Sequence, residues 1–167
     1  MAESTIVKTK RDGTITFRDG TTPTAEEYTV AFEAGDLNIA IAGRTVNLFL
    51  DRGVMTDPPS IRFGDDQPMS GTFTAQLRDL NDAAVATLTD FLTNTGFFAT
   101  DWVSRGGPNA EVKTVQIIWT IAGLDHGDPA DHTISADHCY LTGSIADGDP
   151  VTLSVAFTSF DLFPLVA

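Results

Sequence analysis

Cysteine is nearly missing from this 167-residue chain: Cys139 stands alone. An intrachain disulfide is therefore impossible, and the expectation is a fold held by its core and made in a reducing compartment. Long hydrophobic runs are missing too. No apolar stretch approaches the roughly 20 residues of a membrane-spanning helix. The opening MAESTIVKTKRDG has no hydrophobic block of the kind a secretory leader carries. No membrane insertion is expected. Positive charge is scarce, with 10 Lys and Arg against 23 Asp and Glu, a formal net charge of −13. From residue 114 to the end there are seven Asp and no Lys or Arg. Tight binding of nucleic acid needs cations that displace counterions, so this half excludes it. The few cations gather at the front. Lys8, Lys10, Arg11 and Arg18 against Glu3 and Asp12 leave residues 1–18 at net +2.

Catalytic patterns are also lacking. No Ser sits in a G-x-S-x-G elbow. Gly64-Asp65-Asp66 and Gly106-Gly107 lack the lysine and following helix of a phosphate loop. Asp147 and Asp149, two apart beside Gly148, read as turn formers. The richest stretch in ligating groups is DHGDPADHTISADH, with His126, His132 and His138 spaced by six and Asp125, Asp128, Asp131 and Asp137 beside them. Imidazole and carboxylate suit zinc. On one strand, however, a spacing of six separates side chains by about 20 Å. The expectation is a solvated acidic loop, not a metal centre, with no cofactor and no enzymatic activity.

What the chain does have is alternation. Ile15 and Phe17, then Tyr28, Val30 and Phe32, then Leu37, Ile39 and Ile41 alternate with polar residues between turn signals. Val46, Leu48 and Leu50 follow the same pattern. Val115, Ile117, Trp119 and Ile121 share one face of a long strand spanning 112–122. A closing hairpin pairs 138–145 with 151–160 across Asp147-Gly148. Cys139 falls in phase with Leu141 and Ile145, as a buried thiol would. Thr is abundant, with 23 residues, and dominates the polar faces. Eight or nine strands with turns every 8–12 residues predict an antiparallel β-sandwich or barrel.

One stretch breaks the period of two. In GTFTAQLRDLNDAAVATLTDFLTNTG, residues 71–96, a strand with Phe73, Ala75 and Leu77 on one face runs into a helical pattern. Leu80, Ala84, Leu88, Phe91 and Leu92 form one apolar stripe. Asp79 is read as the N-cap, with Asp82 three residues on, and Gly96 as the C-terminal stop. The predicted helix spans 79–95 and flanks the β-structure. Residues 1–13 read as an N-terminal arm and 14–167 as one β-domain. Residues 51–70 read as an extended loop around Thr56-Asp57-Pro58-Pro59, with Ile61 and Phe63 as a possible short edge strand. The segment 97–110 is unusually apolar for a loop: Phe97, Phe98 and Trp102 either fold back over the helix or bury against another subunit.

This order of features resembles that of the major tail tube proteins of long-tailed, non-contractile bacteriophages. It comprises a short arm, paired strands, the 51–70 loop, the strand-to-helix unit GTFTAQLRDLNDAAVATLTDFL, the long strand VKTVQIIWTIAG and the closing hairpin LTGSIADGDPVTLSVAFTSF. The resemblance implies a structural virion protein. Six copies would form a ring with a continuous β-lined channel, and stacked rings would form the tube that carries phage DNA into the host. Its partners would be copies of itself and other tail proteins (tape measure, tail terminator, baseplate). DNA would pass through without specific binding. The location would be the virion tail, after assembly in the host cytoplasm. Lys8, Lys10, Arg11, Thr56, Asp57, Pro58, Pro59, Ile61, Phe97, Phe98 and Trp102 are the candidate inter-subunit contacts. The alternatives are a capsid decoration or baseplate ring protein, and, more remotely, a metal-binding enzyme or a carbohydrate-binding module using Trp102, Trp119 and Tyr140.

Overall fold

The structure, a computed structural model, describes residues 13–21, 23–30, 37–41, 43–49, 60–77, 82, 84–93, 95–96, 112–124, 127, 129–161 and 164–166. The described residues form ten strands and one helix. The strands are β1 (Gly13–Arg18), β2 (Glu27–Thr29), β3 (Asn38–Ala40), β4 (Val46–Phe49), β5 (Ser60–Phe63), β6 (Met69–Gln76), β7 (Val115–Ile121), β8 (His132–Ala146), β9 (Thr152–Ser159) and β10 (Leu165–Val166), and the helix is α1 (Leu88–Thr93). All pairings are antiparallel. The main sheet runs β2-β1-β7-β8-β9-β6-β3, with β10 against β8, and β4-β5 form a separate pair. The predicted mainly antiparallel β-fold with one helix is what the chain adopts.

The main sheet folds back on itself, and β8 is where it does so. Its first half pairs with β7 and its second half, from Cys139 on, pairs with β9. Between them His138 has φ 52°, a left-handed conformation uncommon outside glycine. This bend changes the phase of alternation: Ala136 and Cys139 are both buried although they lie three apart. Two bonds fasten the bend to the end of β9. His138 Nδ1 lies 2.7 Å from Asp161 Oδ2, and Phe160 N donates to the His138 carbonyl. Closure shows in the core. The rings of Phe17 on β1 and Phe73 on β6 are 5.3 Å apart between centroids. Four strand steps across a flat sheet would put them about 19 Å apart. The two halves therefore face each other as layers, with Ile117, Val155 and Phe157 among the side chains filling the space between them.

The helix corrects the sequence reading. It starts at Leu88, not near 79, and has six residues. Ala84 lies before it and is exposed, so the apolar stripe is only its Leu88, Phe91 and Leu92 portion; Leu80 and the proposed Asp79 cap lie outside the described residues. The cap is Thr87. Its hydroxyl accepts from Asp90 N at 3.3 Å, while Asp90 Oδ2 accepts from Thr87 N at 3.0 Å, a reciprocal capping box. Asp82 caps no helix; its carboxylate takes Ala84 N in a local turn. α1 ends at Thr93, two residues before the predicted 95, and Gly96, read as the stop, follows with φ 60°. Phe91 stacks near Phe17, 5.7 Å between centroids, and Leu92 sits over Gly143. Thus α1 closes the core from inside β8. No helix among the described residues is long and apolar enough to cross a membrane.

Two further readings need amendment. β8 begins at His132, six residues before the predicted start, so part of the expected acidic loop is strand. β4 does alternate, but burial does not follow from it. Among the described residues it pairs only with β5, and all eight residues of the pair are exposed. Ser60–Phe63 is thus the short strand anticipated within 51–70, and residues 51–59 lie outside the described residues.

Candidate functional site

The second layer, β8-β9-β6-β3, has a core face and an outer face, and the outer face is chemically uniform. The register aligns its side chains in rows across the strands. Tyr140, Thr158, Ser70 and Ala40 make one row, and Thr142, Ala156, Thr72 and Asn38 the next. Ser144, Ser154 and Thr74 follow, and then Ala146, Thr152 and Gln76. None of these is charged. The only large apolar group is Tyr140, at one border and 47% exposed. The middle rows line a shallow concavity. Strand geometry explains the segregation. Phe73, Ala75, Leu153, Val155 and Phe157 are drawn inward by burial, and a period of two leaves the intervening Thr and Ser outward. α1 packs on the core side of β8, so this layer lies between the helix and the hydroxyl face.

Both lateral edges of the layer are open among the described residues. β3 pairs with β6 on one side only, and β8 from Tyr140 to Ala146 pairs only with β9. Such edges expose unpaired N–H and C=O groups that template pairing with another strand.

The β4-β5 pair is the second unusual feature. Val46 pairs with Phe63 and Leu48 with Ile61, so four large apolar side chains share one face, each more than half exposed. Phe49 and Arg62 lie on the opposite face. An isolated two-stranded pair is marginal in water, and a contiguous apolar face of this kind marks a contact surface. Its base is tied by the Arg44–Asp66 ion pair, with the Arg44 guanidinium 5.9 Å from the Phe63 ring centroid.

The described residues of the His-Asp stretch do not converge. His132 opens β8 opposite Ile121, and His138 is bonded to Asp161 at the bend. The Asp131 carboxylate accepts from Gly123 N and Leu124 N at 2.7 and 3.0 Å, which shapes the turn into β8. Asp137 accepts from the Gln116 amide at 2.7 Å. No group of three ligating side chains able to hold a metal forms among the described residues; His126, Asp125 and Asp128 lie outside them. Cys139 is fully buried and burial pushes its thiol up to about 12, so it is no nucleophile at neutral pH. Trp119 packs partly against the core and is no free stacking platform.

Of the candidate inter-subunit residues, Ile61 is in place on β5 and 67% exposed. Lys8, Lys10, Arg11, Thr56, Asp57, Pro58, Pro59, Phe97, Phe98 and Trp102 lie outside the described residues. The sequence reading noticed Thr-rich faces without choosing among them. Alternation marks two faces of a strand, but only the pairing of β8, β9, β6 and β3 adds four such faces into one surface. No known protein family matches the chain, and no curated protein sequence matches it.

Proposed function

We propose that this protein is a structural subunit that assembles into rings, stacked as the tail tube through which a bacteriophage passes its DNA. The observation that carries the reading is the hydroxyl face of β8-β9-β6-β3, uncharged and flanked by two open edges among the described residues. Edge-to-edge joining of this layer between neighbours consumes both edges and makes a continuous β-wall. Its Thr, Ser and Gln side chains then line the channel and α1 lies on the far side, toward the exterior. A duplex bears one phosphate charge per about 1.7 Å of its axis. A wall without cations among the described residues gives those phosphates nothing to pair with there, and the net −13 of each subunit repels them at longer range. Of Arg44, Arg62, Arg78 and Arg105, which together in the channel would oppose sliding, Arg62 lies on β5 and Arg44 just before β4, off this face, while Arg78 and Arg105 lie outside the described residues. In this reading the β4-β5 pair and the 51–59 segment it brackets reach a neighbouring subunit, whose contact covers the apolar face.

Negative-stain microscopy of the purified protein tests the proposal. Rings with an open centre, or tubes built from them, are expected as concentration rises. A particle that stays monomeric at every concentration and also in its native assembly would overturn it. Closed shells or binding to preformed capsids would favour a decoration role instead.

A further inference from the structure

A shallow groove on the β4-β5 pair is bounded by Phe49, Ser60, Ile61 and Arg62; Phe49, Ser60 and Arg62 lie on the face opposite the apolar quartet. It sets the Phe49 ring beside the Ser60 hydroxyl and the Arg62 guanidinium. Arg18 and Arg44 each hold a carboxylate, from Glu27 and Asp66. Arg62, among the described residues, holds none. That is unusual in a chain with 23 Asp and Glu against 10 Lys and Arg, where each cation has more than two carboxylates to choose from. The turn after β8 has the opposite chemistry. Asp147 and Asp149 are exposed on either side of Gly148 and have no partner among the described residues, and Ile145, two residues earlier, is 53% exposed. This turn also stands at one end of the hydroxyl face, beyond its last row.

We propose that the Phe49–Arg62 groove of one copy receives the 147–149 turn of a second copy. Arg62 takes an aspartate carboxylate, for which the planar guanidinium offers two parallel N–H donors. Ile145 lies against Phe49, so the ion pair forms beside apolar surface. One copy supplies the groove and the next supplies the turn, which makes the contact head-to-tail and able to repeat without limit. Placing the turn at the end of the channel wall makes this a contact between successive rings. The inference rests on the reading that the chain self-assembles, and it names the surfaces that meet.

Charge exchange tests it. Arg62→Glu alone, and Asp147→Arg with Asp149→Arg, should each raise the protein concentration needed for assembly about tenfold, as loss of one charge-assisted contact would. Combining the three substitutions should bring it back toward the wild-type value. Circular dichroism of the monomers should be unchanged, since all three side chains are exposed. A second readout mixes Arg62→Cys protein with Asp147→Cys protein under mild oxidation. A disulfide-linked dimer of the two variants is expected, and buried Cys139 does not compete. Absence of both charge rescue and mixed dimer, in protein that still assembles, overturns the pairing and leaves the assembly reading standing. Rescue with a different partner for the groove, or singles that assemble normally, does the same. Wild-type protein that never assembles overturns both.

Discussion

Cys139 shows how one residue can report on the whole fold. Its side chain is fully buried beside the β8 bend, with Sγ 3.3 Å from the Ala136 carbonyl. Burial pushes the thiol from 9.0 to about 12. The folded chain therefore keeps a proton that the unfolded chain releases above pH 9. Stability is untouched below that pH and falls as pH rises from about 9 toward 12. Two outcomes are expected: no alkylation of Cys139 by iodoacetamide at pH 8 without denaturant, and an alkaline loss of stability that shrinks in Cys139→Ala. Rapid native alkylation would show that the bend opens readily. Gly71 is a second sensitive position. A Cβ there would run into the Asn38 carbonyl and the Phe157 ring, because β3 pairs with β6 at this point beside a packed aromatic. Gly71→Ala should cost about 1–3 kcal/mol in chemical denaturation, from crowding and not from lost contacts. A neutral result would mean that β3 is held loosely against β6.

The short helix, the bent strand and the detached strand pair mark what alternation and spacing can and cannot reveal about elements. Thr87 and Asp90 cap each other at the start of α1, and Thr87→Ala should cost about 1 kcal/mol. Thermal melts would detect it, and a zero effect would mean that packing of Phe91 alone fixes the helix. The sequence carried this signal as Thr87-Leu88-Thr89-Asp90, but Asp79 with Asp82 offered an earlier cap of similar form, and the apolar stripe extended smoothly back through Ala84. Buried strands were legible wherever two neighbours enforce the period, as for Phe73 and Ala75 or Leu153, Val155 and Phe157. The start of β8 was not, because the His138 bend places buried Ala136 and Cys139 out of phase. For β4 the period was right and the burial wrong: Val46 and Leu48 alternate as core residues do, yet they face no other layer. Nothing local distinguishes an apolar strand that meets its own core from one that waits for a partner. Leu48→Asp with Ile61→Asp separates the cases. Stability of the monomer should change by no more than about 0.5 kcal/mol, as for exposed sites, while assembly followed by light scattering should fail. A large loss of monomer stability would place this face inside the subunit.

At the scale of the molecule the charge is segregated, and under the proposed function the segregation would bear on both stacking and transport. The front 18 residues carry net +2, and residues 114–167 carry seven Asp without a cation. Replacing Lys8, Lys10 and Arg11 together with Gln should shorten tubes and weaken their salt response, since single exposed pairs give about 0–1 kcal/mol but six per ring act together. Tubes of unchanged length at low and high salt would show that the arm takes no part. In the proposed tube the channel wall has the more demanding requirement. DNA would move past many rings in succession, so even a weak attraction at each ring would multiply along the tube. A wall of Thr, Ser, Asn and Gln offers hydrogen bonds that water satisfies equally well, and it displaces no counterions from the phosphates. Thr72→Lys with Ser154→Lys adds two cations per subunit, roughly twelve per ring of six, on the middle rows of the hydroxyl face. Both positions are exposed, so folding and ring formation should persist. Assembled tubes of this variant should retain a fluorescent DNA duplex on sedimentation at low salt and release it as salt rises, while wild-type tubes retain none. The same two substitutions in unassembled protein should bind far more weakly, because the cations would not be gathered around one channel. If variant tubes ignore DNA, or if the lysines abolish assembly while the monomer stays folded, the hydroxyl face is a contact between subunits and the channel is lined by another surface.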